Sequence, residues 1–91
     1  MKWYVYIVKG KDGSLYTGIT TDIIRRIHEH NEDKKLGAKS LRGKRPVEMV
    51  YSELYPTQSE ARKREAAIKR WTREYKLKLI KRQNNILKGS P

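Results

Sequence analysis

Few side chains in this 91-residue sequence combine a reactive type with a supporting partner. The absence of cysteine excludes thiolate nucleophiles, disulfides and zinc sites built on Cys ligands, and two histidines cannot form a His-rich metal cage. No Ser-His-Asp grouping, paired-carboxylate motif or glycine-rich phosphate loop is present. The remaining candidates are a tyrosine cluster, an arginine–histidine pair and one carboxylate: Tyr4, Tyr6, Tyr16, Arg26, His30 and Glu65.

Glu65 is unusual because it lies beside Ala61 and Ile68, at the edge of the apolar side of a predicted helix that is otherwise cationic. A carboxylate in that position is either a salt-bridge acceptor, with Lys69 four residues on as its partner, or a ligand for a hard cation such as Mg²⁺. The pattern leaves both roles open.

The elements that would position these side chains can be predicted from composition and turn signals. Residues 3–8 and 15–20 predict two strands of a hairpin turned at Asp12-Gly13, the first strand buried on both faces. Gly18 marks a place where the second strand bends or another group comes close. Residues 47–52 favour a third strand.

Helices are expected at three places. The first covers about 22–31, with an apolar stripe of Ile23, Ile24 and Ile27 and with Arg26 and His30 sharing another face. The Thr57 to Glu60 segment is a capping box that begins the second, and a third is predicted over about 73–84. Residues 31–46 predict a mobile basic loop. We therefore expect one domain over 1–84 and a flexible tail over 85–91.

The charge balance indicates the class of partner. Lys and Arg number 22 against 10 Asp and Glu, a formal net charge of +12. Such a surface attracts polyanions, because cations that neutralise phosphates release counterions. The alternatives are a surface that only maintains solubility, or a contact with the ribosome or an anionic membrane. No apolar run has the length of a signal peptide or a membrane span, so we expect a cytoplasmic protein without a membrane partner.

At the candidate residues the sequence resembles the GIY-YIG nucleases. The similarity consists of Tyr4-Val5-Tyr6, then Tyr16-Thr17-Gly18, then Arg26, His30 and a later Glu65, so that it spans about residues 3–82. It is closest to the short, stand-alone bacterial members of that superfamily. The sequence departs from the pattern at Tyr4, where the family has glycine, and at Thr17, where the family has an apolar residue.

The resemblance implies an α+β fold, a small three-stranded antiparallel sheet flanked by about three helices. It implies that Arg26 holds the scissile phosphate and that Glu65 holds one divalent metal, Mg²⁺ or Mn²⁺. Tyr16 would act as the base, Tyr6 would orient water or contact phosphate, and His30 would support the phosphate or assist proton transfer.

The implied function is metal-dependent hydrolysis of phosphodiester bonds by a DNA endonuclease or nickase, with no obligate protein partner. The alternatives are a non-catalytic module that binds DNA, RNA or the ribosome, and an RNA-directed nuclease with the same site. Nucleic acid would also contact a set of cations in the basic loop and the second helix: Lys39, Arg42, Lys44, Arg45, Arg62 and Lys69.

Overall fold

The computed structural model describes residues 1–33 and 37–87, without the side chains of residues 40, 42 and 84–87. Three strands form one antiparallel sheet in the order β2-β1-β3, with β1 at Trp3–Lys9, β2 at Leu15–Thr20 and β3 at Glu48–Tyr55. The helices are α1 (Ile23–Glu32), α2 (Gln58–Lys69) and α3 (Arg73–Leu87), and a 3₁₀ helix spans Lys39–Lys44. This architecture confirms the predicted α+β fold.

The central strand β1 is covered on both faces, as its unbroken apolar sequence predicts. Val5 and Ile7 are fully buried in a cluster with side chains from α2 and α3, Ala61, Ile68 and Ile80. Tyr6 and Val8 point to the opposite face, where they pack with Leu41 and Val47. Because neighbouring residues of a strand point to opposite faces, β1 contributes to two cores, and Tyr6 is buried in the second of them.

The hairpin between β1 and β2 turns at the Asp-Gly pair that the sequence indicated. The Asp12 carboxylate accepts hydrogen bonds from the backbone N–H and the hydroxyl of Ser14, at 3.0 and 2.7 Å. Gly13 has φ +86°, a conformation that favours glycine. The resulting register places Tyr6 directly opposite Gly18.

Helix α1 begins where Asp22 accepts a hydrogen bond from the backbone N–H of Arg25 at 3.0 Å. The predicted apolar stripe is wrong for Ile24, which is 85% exposed. The buried face is instead formed by half-buried Ile23 and Ile27 and by His30, at helical positions i, i+4 and i+7. A histidine, not an isoleucine, therefore completes the buried side of α1.

The prediction of a mobile loop over residues 31–46 is wrong for the 3₁₀ helix. Leu41 is 2% exposed and packs with Tyr6, Val8 and Val47, which anchors the segment to the sheet. Asn31 adds a second attachment, because its amide donates to the carbonyl of Val47 at 3.1 Å and accepts from its N–H at 2.6 Å. Residues 34–36 lie outside the described part.

The later elements run longer than predicted. β3 extends to Tyr55 and α3 extends to Leu87, while residues 88–91 of the expected tail lie outside the described part. Helix α2 begins as its capping box indicates, with the Thr57 hydroxyl accepting from the N–H of Glu60 at 3.2 Å. Among the described residues, no helix combines the length and apolar character needed to cross a membrane.

Candidate active site

Tyr6 reaches the edge strand because Gly18 has no side chain. A Cβ atom at position 18 would lie 2.6 Å from the Tyr6 hydroxyl oxygen, 2.8 Å from its Cζ and 3.1 Å from Cε1 of Tyr16. The two residues are paired across β1 and β2, so the Tyr6 ring lies over the backbone of Gly18. The close approach predicted at Gly18 is therefore made by the phenol of Tyr6.

His30 holds this phenol from the other side. Its Nε2 lies 2.9 Å from the Tyr6 hydroxyl, and its Nδ1 accepts a hydrogen bond from the backbone N–H of Ala38 at 3.2 Å. A backbone N–H can only donate, so Nδ1 carries no proton and the neutral ring has its hydrogen on Nε2. His30 consequently donates to the Tyr6 oxygen, and the proton of the Tyr6 hydroxyl is left for another acceptor.

Burial sets the protonation of both side chains at neutral pH. Burial, partly offset by a hydrogen bond from Arg26, raises the pKa of Tyr6 to about 12. Burial and the nearby Arg26 charge lower the pKa of His30 to about 4. Tyr6 is therefore a protonated phenol and His30 a neutral imidazole. His30 is not the solvated cation that a histidine at a helix end would otherwise be.

Arg26 brings a fixed positive charge to the phenol. Burial opposes that charge, but hydrogen bonds to Glu29 and to the Tyr6 hydroxyl outweigh it and raise the pKa of the guanidinium. The Nη1–Oε1 distance to Glu29 is 2.9 Å, three residues along α1. Arg26 stays charged and is aimed at the same oxygen that His30 contacts.

Tyr16 completes the aromatic part of the site. Its ring centroid lies 6.4 Å from that of Tyr6 and 5.4 Å from that of His30, which it meets edge to face. Its side chain is half-buried at the margin of the cluster. The structure thus brings together Tyr6, Tyr16, Arg26 and His30, which the sequence analysis placed in one catalytic site.

Glu65 lies on α2, which packs against both β1 and β2. Its side chain is 18% exposed, and its negative charge is close enough to contribute to the raised pKa of Tyr6. Its Oε2 also lies 3.4 Å from Nζ of Lys69. The salt bridge that the sequence left open is therefore formed.

The donor set suits a hard cation that keeps most of its own water. Among the described residues no three His, Cys, Asp or Glu side chains form a group that could hold a metal ion, so Glu65 would be a single protein ligand. Mg²⁺ is commonly held by one or two carboxylates, with water and substrate phosphates completing its shell. The carboxylate of Glu65, which is half-buried and whose charge acts on Tyr6, fits that kind of site and not an all-protein cage.

The predicted nucleic-acid contacts fall into two groups. In and beside the 3₁₀ helix, Lys39 is exposed, while Lys44 and Arg45 are half-buried and the side chain of Arg42 lies outside the described part. Arg45 donates to the backbone carbonyl of Asp33 at 2.8 Å, and its charge contributes to the lowered pKa of His30. On α2, Arg62 and Lys69 are exposed, so both can meet a polyanion.

Two residues that support the site were missed by sequence reasoning. Glu29 pairs with Arg26, and the i,i+3 spacing on α1 was the available signal. Ala38 fixes the tautomer of His30 through its backbone N–H, and no side-chain pattern can report such a contact.

Comparison with known proteins identifies the family of this chain. The family model described as the GIY-YIG catalytic domain matches residues 2–79. The chain belongs to the GIY-YIG family, a family of nucleases whose members generally use a divalent metal and act on nucleic acid.

Within that family the chain is similar to the bacterial UPF0213 proteins. A UPF0213 protein of Staphylococcus saprophyticus is 56% identical over 79 residues, which cover 87% of this chain and 94% of that protein. A UPF0213 protein of Staphylococcus aureus is 54% identical over 78 residues, covering 86% of this chain and 93% of that protein. The similarity confirms the predicted kinship with short, single-domain bacterial members.

Two solved structures share the fold. The solution NMR structure of a UPF0213 protein from Bacillus halodurans matches with a TM-score of 0.57 and 42% identity, covering 89% of this chain and 84% of that one. The solution NMR structure of a protein from E. faecalis matches with a TM-score of 0.63 and 39% identity, covering 92% of this chain and 88% of that one.

Proposed function

We propose that this protein is a metal-dependent DNA endonuclease or nickase that hydrolyses phosphodiester bonds at the Tyr6 cluster. The observation that carries the proposal is the position of the Tyr6 hydroxyl. This oxygen accepts from the Nε2–H of His30, lies in hydrogen-bonding range of Arg26, and is affected by the charges of Tyr16 and Glu65. Membership of the GIY-YIG family supports assigning these residues to one reaction, the hydrolysis of phosphodiester bonds.

Arg26 would bind the scissile phosphate. Its guanidinium is charged, planar and partly withdrawn from water, so it can donate two parallel hydrogen bonds to phosphate oxygens. Negative charge increases on those oxygens as water attacks. A preorganised cation beside them stabilises the transition state more than the ground state.

Tyr6 and Tyr16 would have different roles in proton transfer, one as a donor and the other as a base. With a pKa of about 12, Tyr6 keeps its proton at neutral pH and acts as a donor to a phosphate oxygen or to the attacking water. The role of base falls to Tyr16, whose half-buried side chain lies at the margin of the cluster. In this scheme the water oxygen bonds to phosphorus as the phenolate form of Tyr16 takes the proton of that water, the P–O bond to the leaving strand breaks, and the leaving oxygen takes a proton from solvent water.

His30 would act as a positioning residue. The N–H of Ala38 keeps its Nδ1 unprotonated, so Nε2 always offers a hydrogen to Tyr6. This orients the Tyr6 hydroxyl hydrogen away from the imidazole.

Glu65 would hold the Mg²⁺ or Mn²⁺ ion, after its carboxylate leaves Lys69. The ion, when bound, would supply Lewis-acid polarisation of the phosphate and lower the pKa of bound water. Lys69, once released, is an exposed cation available to a neighbouring phosphate.

The test is nicking of supercoiled plasmid in Mg²⁺ or Mn²⁺ by the wild type and by Glu65→Gln. Glu60→Gln is the matched control, because Glu60 is an exposed carboxylate in the first turn of the same helix. We expect nicking by the wild type and the control and none by Glu65→Gln. Loss of a base typically costs about 10²–10⁴-fold in rate, so Tyr16→Phe should fall in that range. Undiminished nicking by Glu65→Gln would exclude the assigned site.

The second candidate is a non-catalytic nucleic-acid-binding module. It is favoured by the Glu65–Lys69 ion pair, which gives the carboxylate a cationic partner of its own. Tight binding of DNA without cleavage under every metal condition would support this candidate. A nuclease directed at RNA, with the same site, is tested by parallel incubation with duplex RNA. Cleavage of the RNA and not of the plasmid would identify that activity.

Both candidates require phosphate contacts by exposed cations. If about six phosphates are neutralised, the logarithm of affinity for duplex DNA should fall with a slope near −5 against the logarithm of salt concentration. A flat salt response would exclude nucleic acid as the partner.

A further inference from the structure

One aromatic ring outside the candidate active site is both exposed and held in place. Tyr75, in the first turn of α3, is 58% exposed, and its ring centroid lies 4.6 Å from that of Trp71 at an interplanar angle of 32°. A tyrosine that only filled the core would be covered by other side chains. This ring is supported from within the protein and still offers much of its surface to solvent.

The support beneath the ring is rigid. Trp71 packs against the main apolar core, and its ring lies 5.0 Å from the guanidinium carbon of Arg64. Arg64 is fixed in turn by two hydrogen bonds to the carboxylate of Glu53, at 2.9 and 3.0 Å. Little conformational entropy is therefore lost when a flat group stacks on Tyr75.

Cations lie beside the ring. Lys78 and Arg82 follow Tyr75 by three and seven residues, so the three side chains share one side of α3. With Leu79 they line a shallow depression of about 380 Å³. Within the part of the chain that the structure describes, Lys78 and Arg82 are exposed and neither forms an ion pair with a carboxylate.

The charge of α3 identifies the occupant. From residue 73 to residue 82 the helix carries five cations, Arg73, Lys76, Lys78, Lys81 and Arg82, against one acid, Glu74. An aromatic ring next to unpaired cations is the arrangement that binds single-stranded nucleic acid, in which each base can stack and each phosphate can meet a cation. Bases in a duplex already stack on one another, so the ring gains nothing from a fully paired substrate.

We propose that Tyr75, Lys78 and Arg82 form a second nucleic-acid-binding surface that takes a single-stranded segment, with a base stacked on Tyr75 and phosphates at the two cations. The inference rests on the proposed function only for the class of partner. Arg64, which supports the ring through Trp71, is adjacent in α2 to Glu65 of the candidate active site. The single-stranded part of a substrate with a junction between paired and unpaired DNA can occupy this surface, so such substrates would be bound better than blunt duplexes.

The test is fluorescence anisotropy in EDTA, so that binding is measured apart from hydrolysis. The probes are a labelled oligothymidine and a labelled blunt duplex, and the variants are Tyr75→Ala and Tyr75→Phe, with thermal melting as the check on folding. Because Tyr75 is largely exposed, neither change should unfold the protein. We expect Tyr75→Ala to weaken oligothymidine binding by about 5- to 150-fold. Tyr75→Phe should retain it, because stacking needs the ring and not the hydroxyl.

Lys78→Ala and Arg82→Ala test the cations. Each should make the salt dependence of single-strand binding shallower by a slope of about 0.7. Unchanged oligothymidine binding by Tyr75→Ala, or an equal loss on the blunt duplex, would overturn the proposal. This result is independent of the test of the proposed function. Cleavage that depends on Glu65 can persist without this surface, and this surface can bind a single strand in a protein that does not cleave.

Discussion

Replacing Gly18 by alanine is expected to displace the Tyr6 phenol. The added Cβ would meet the hydroxyl oxygen at 2.6 Å and Cζ at 2.8 Å, both closer than real Cβ contacts come. The phenol cannot move freely, because His30 holds its oxygen at 2.9 Å and the ring is 1% exposed. The clash must be relieved by a shift of β2 or by breaking the Tyr6–His30 hydrogen bond.

The magnitude follows from packing. Overfilling a close-packed site costs about 1–3 kcal/mol, and removing a glycine from a strand recovers about 0.5–1 kcal/mol, so the net loss lies between about 0 and 2.5 kcal/mol, with a midpoint of about 1 kcal/mol. For a domain of this size a loss of about 1 kcal/mol lowers Tm by about 4–8 °C. A shift of about 1 Å in a catalytic group can lower the rate about 10²-fold. We therefore expect the nicking rate of Gly18→Ala to fall by about that factor, although most of the protein stays folded.

Gly43→Ala is the matched control for this change. Apart from its own neighbours in the chain, no atom of the described residues lies within 4 Å of a Cβ built at Gly43, which is in the 3₁₀ helix and not in the sheet. Calorimetry and plasmid nicking on both variants form the assay. If Gly18→Ala melts and cleaves like Gly43→Ala, the close packing of Tyr6 on Gly18 is refuted.

Three further predictions concern the core around the site. His30 binds a proton at a higher pH in the unfolded chain than in the folded chain, so lowering the pH from 6.5 to 4 favours unfolding. Over that range the free energy of unfolding of the wild type, measured in urea, should fall by about 3 kcal/mol more than that of His30→Gln. Thr17→Val should raise stability by about 1 kcal/mol, because the Thr17 hydroxyl is buried without a hydrogen-bond partner among the described residues. Glu53→Gln should lower stability by about 1–2 kcal/mol in denaturant unfolding, since this carboxylate accepts hydrogen bonds from two phenols and a guanidinium.

Each of these predictions has an internal comparison. His28→Gln, at an exposed position of the same helix, should keep the wild-type pH profile, and a His30→Gln profile parallel to the wild type would contradict the buried neutral imidazole. Thr20→Val should destabilise, because the Thr20 hydroxyl donates to the carbonyl of Asp22 and accepts from its N–H; equal effects at both threonines would contradict the assignment. Glu48→Gln, exposed on the same strand, should be neutral, and a loss as large as that of Glu53→Gln would refute the network.

The fold was largely predictable because local signals were strong. The unbroken apolar run of β1, the Asp12-Gly13 turn and the Thr57 cap each determine an element through contacts a few residues apart. The buried face of α1 was not predictable in full. Whether Ile24 or His30 enters the core depends on the sheet against which α1 packs, and that sheet also supplies the hydrogen-bond partner, Tyr6, that makes a buried imidazole tolerable.

The candidate site was predictable as a set of residues but not as a set of protonation states. Spacing along the chain pointed to Tyr6, Tyr16, Arg26, His30 and Glu65 through a family resemblance. The raised pKa of Tyr6 and the lowered pKa of His30 come from burial and from contacts across the fold, which the sequence alone does not contain.

The most direct test of the central claim is a crystal structure of the protein with Mn²⁺ and a short DNA, with the ion located by its anomalous scattering. We expect one ion bound to a Glu65 oxygen at about 2.0–2.2 Å, with Lys69 displaced from that carboxylate and a phosphate between the ion and Arg26. An ion bound elsewhere, with Glu65 still paired to Lys69 and no phosphate at Arg26, would contradict it.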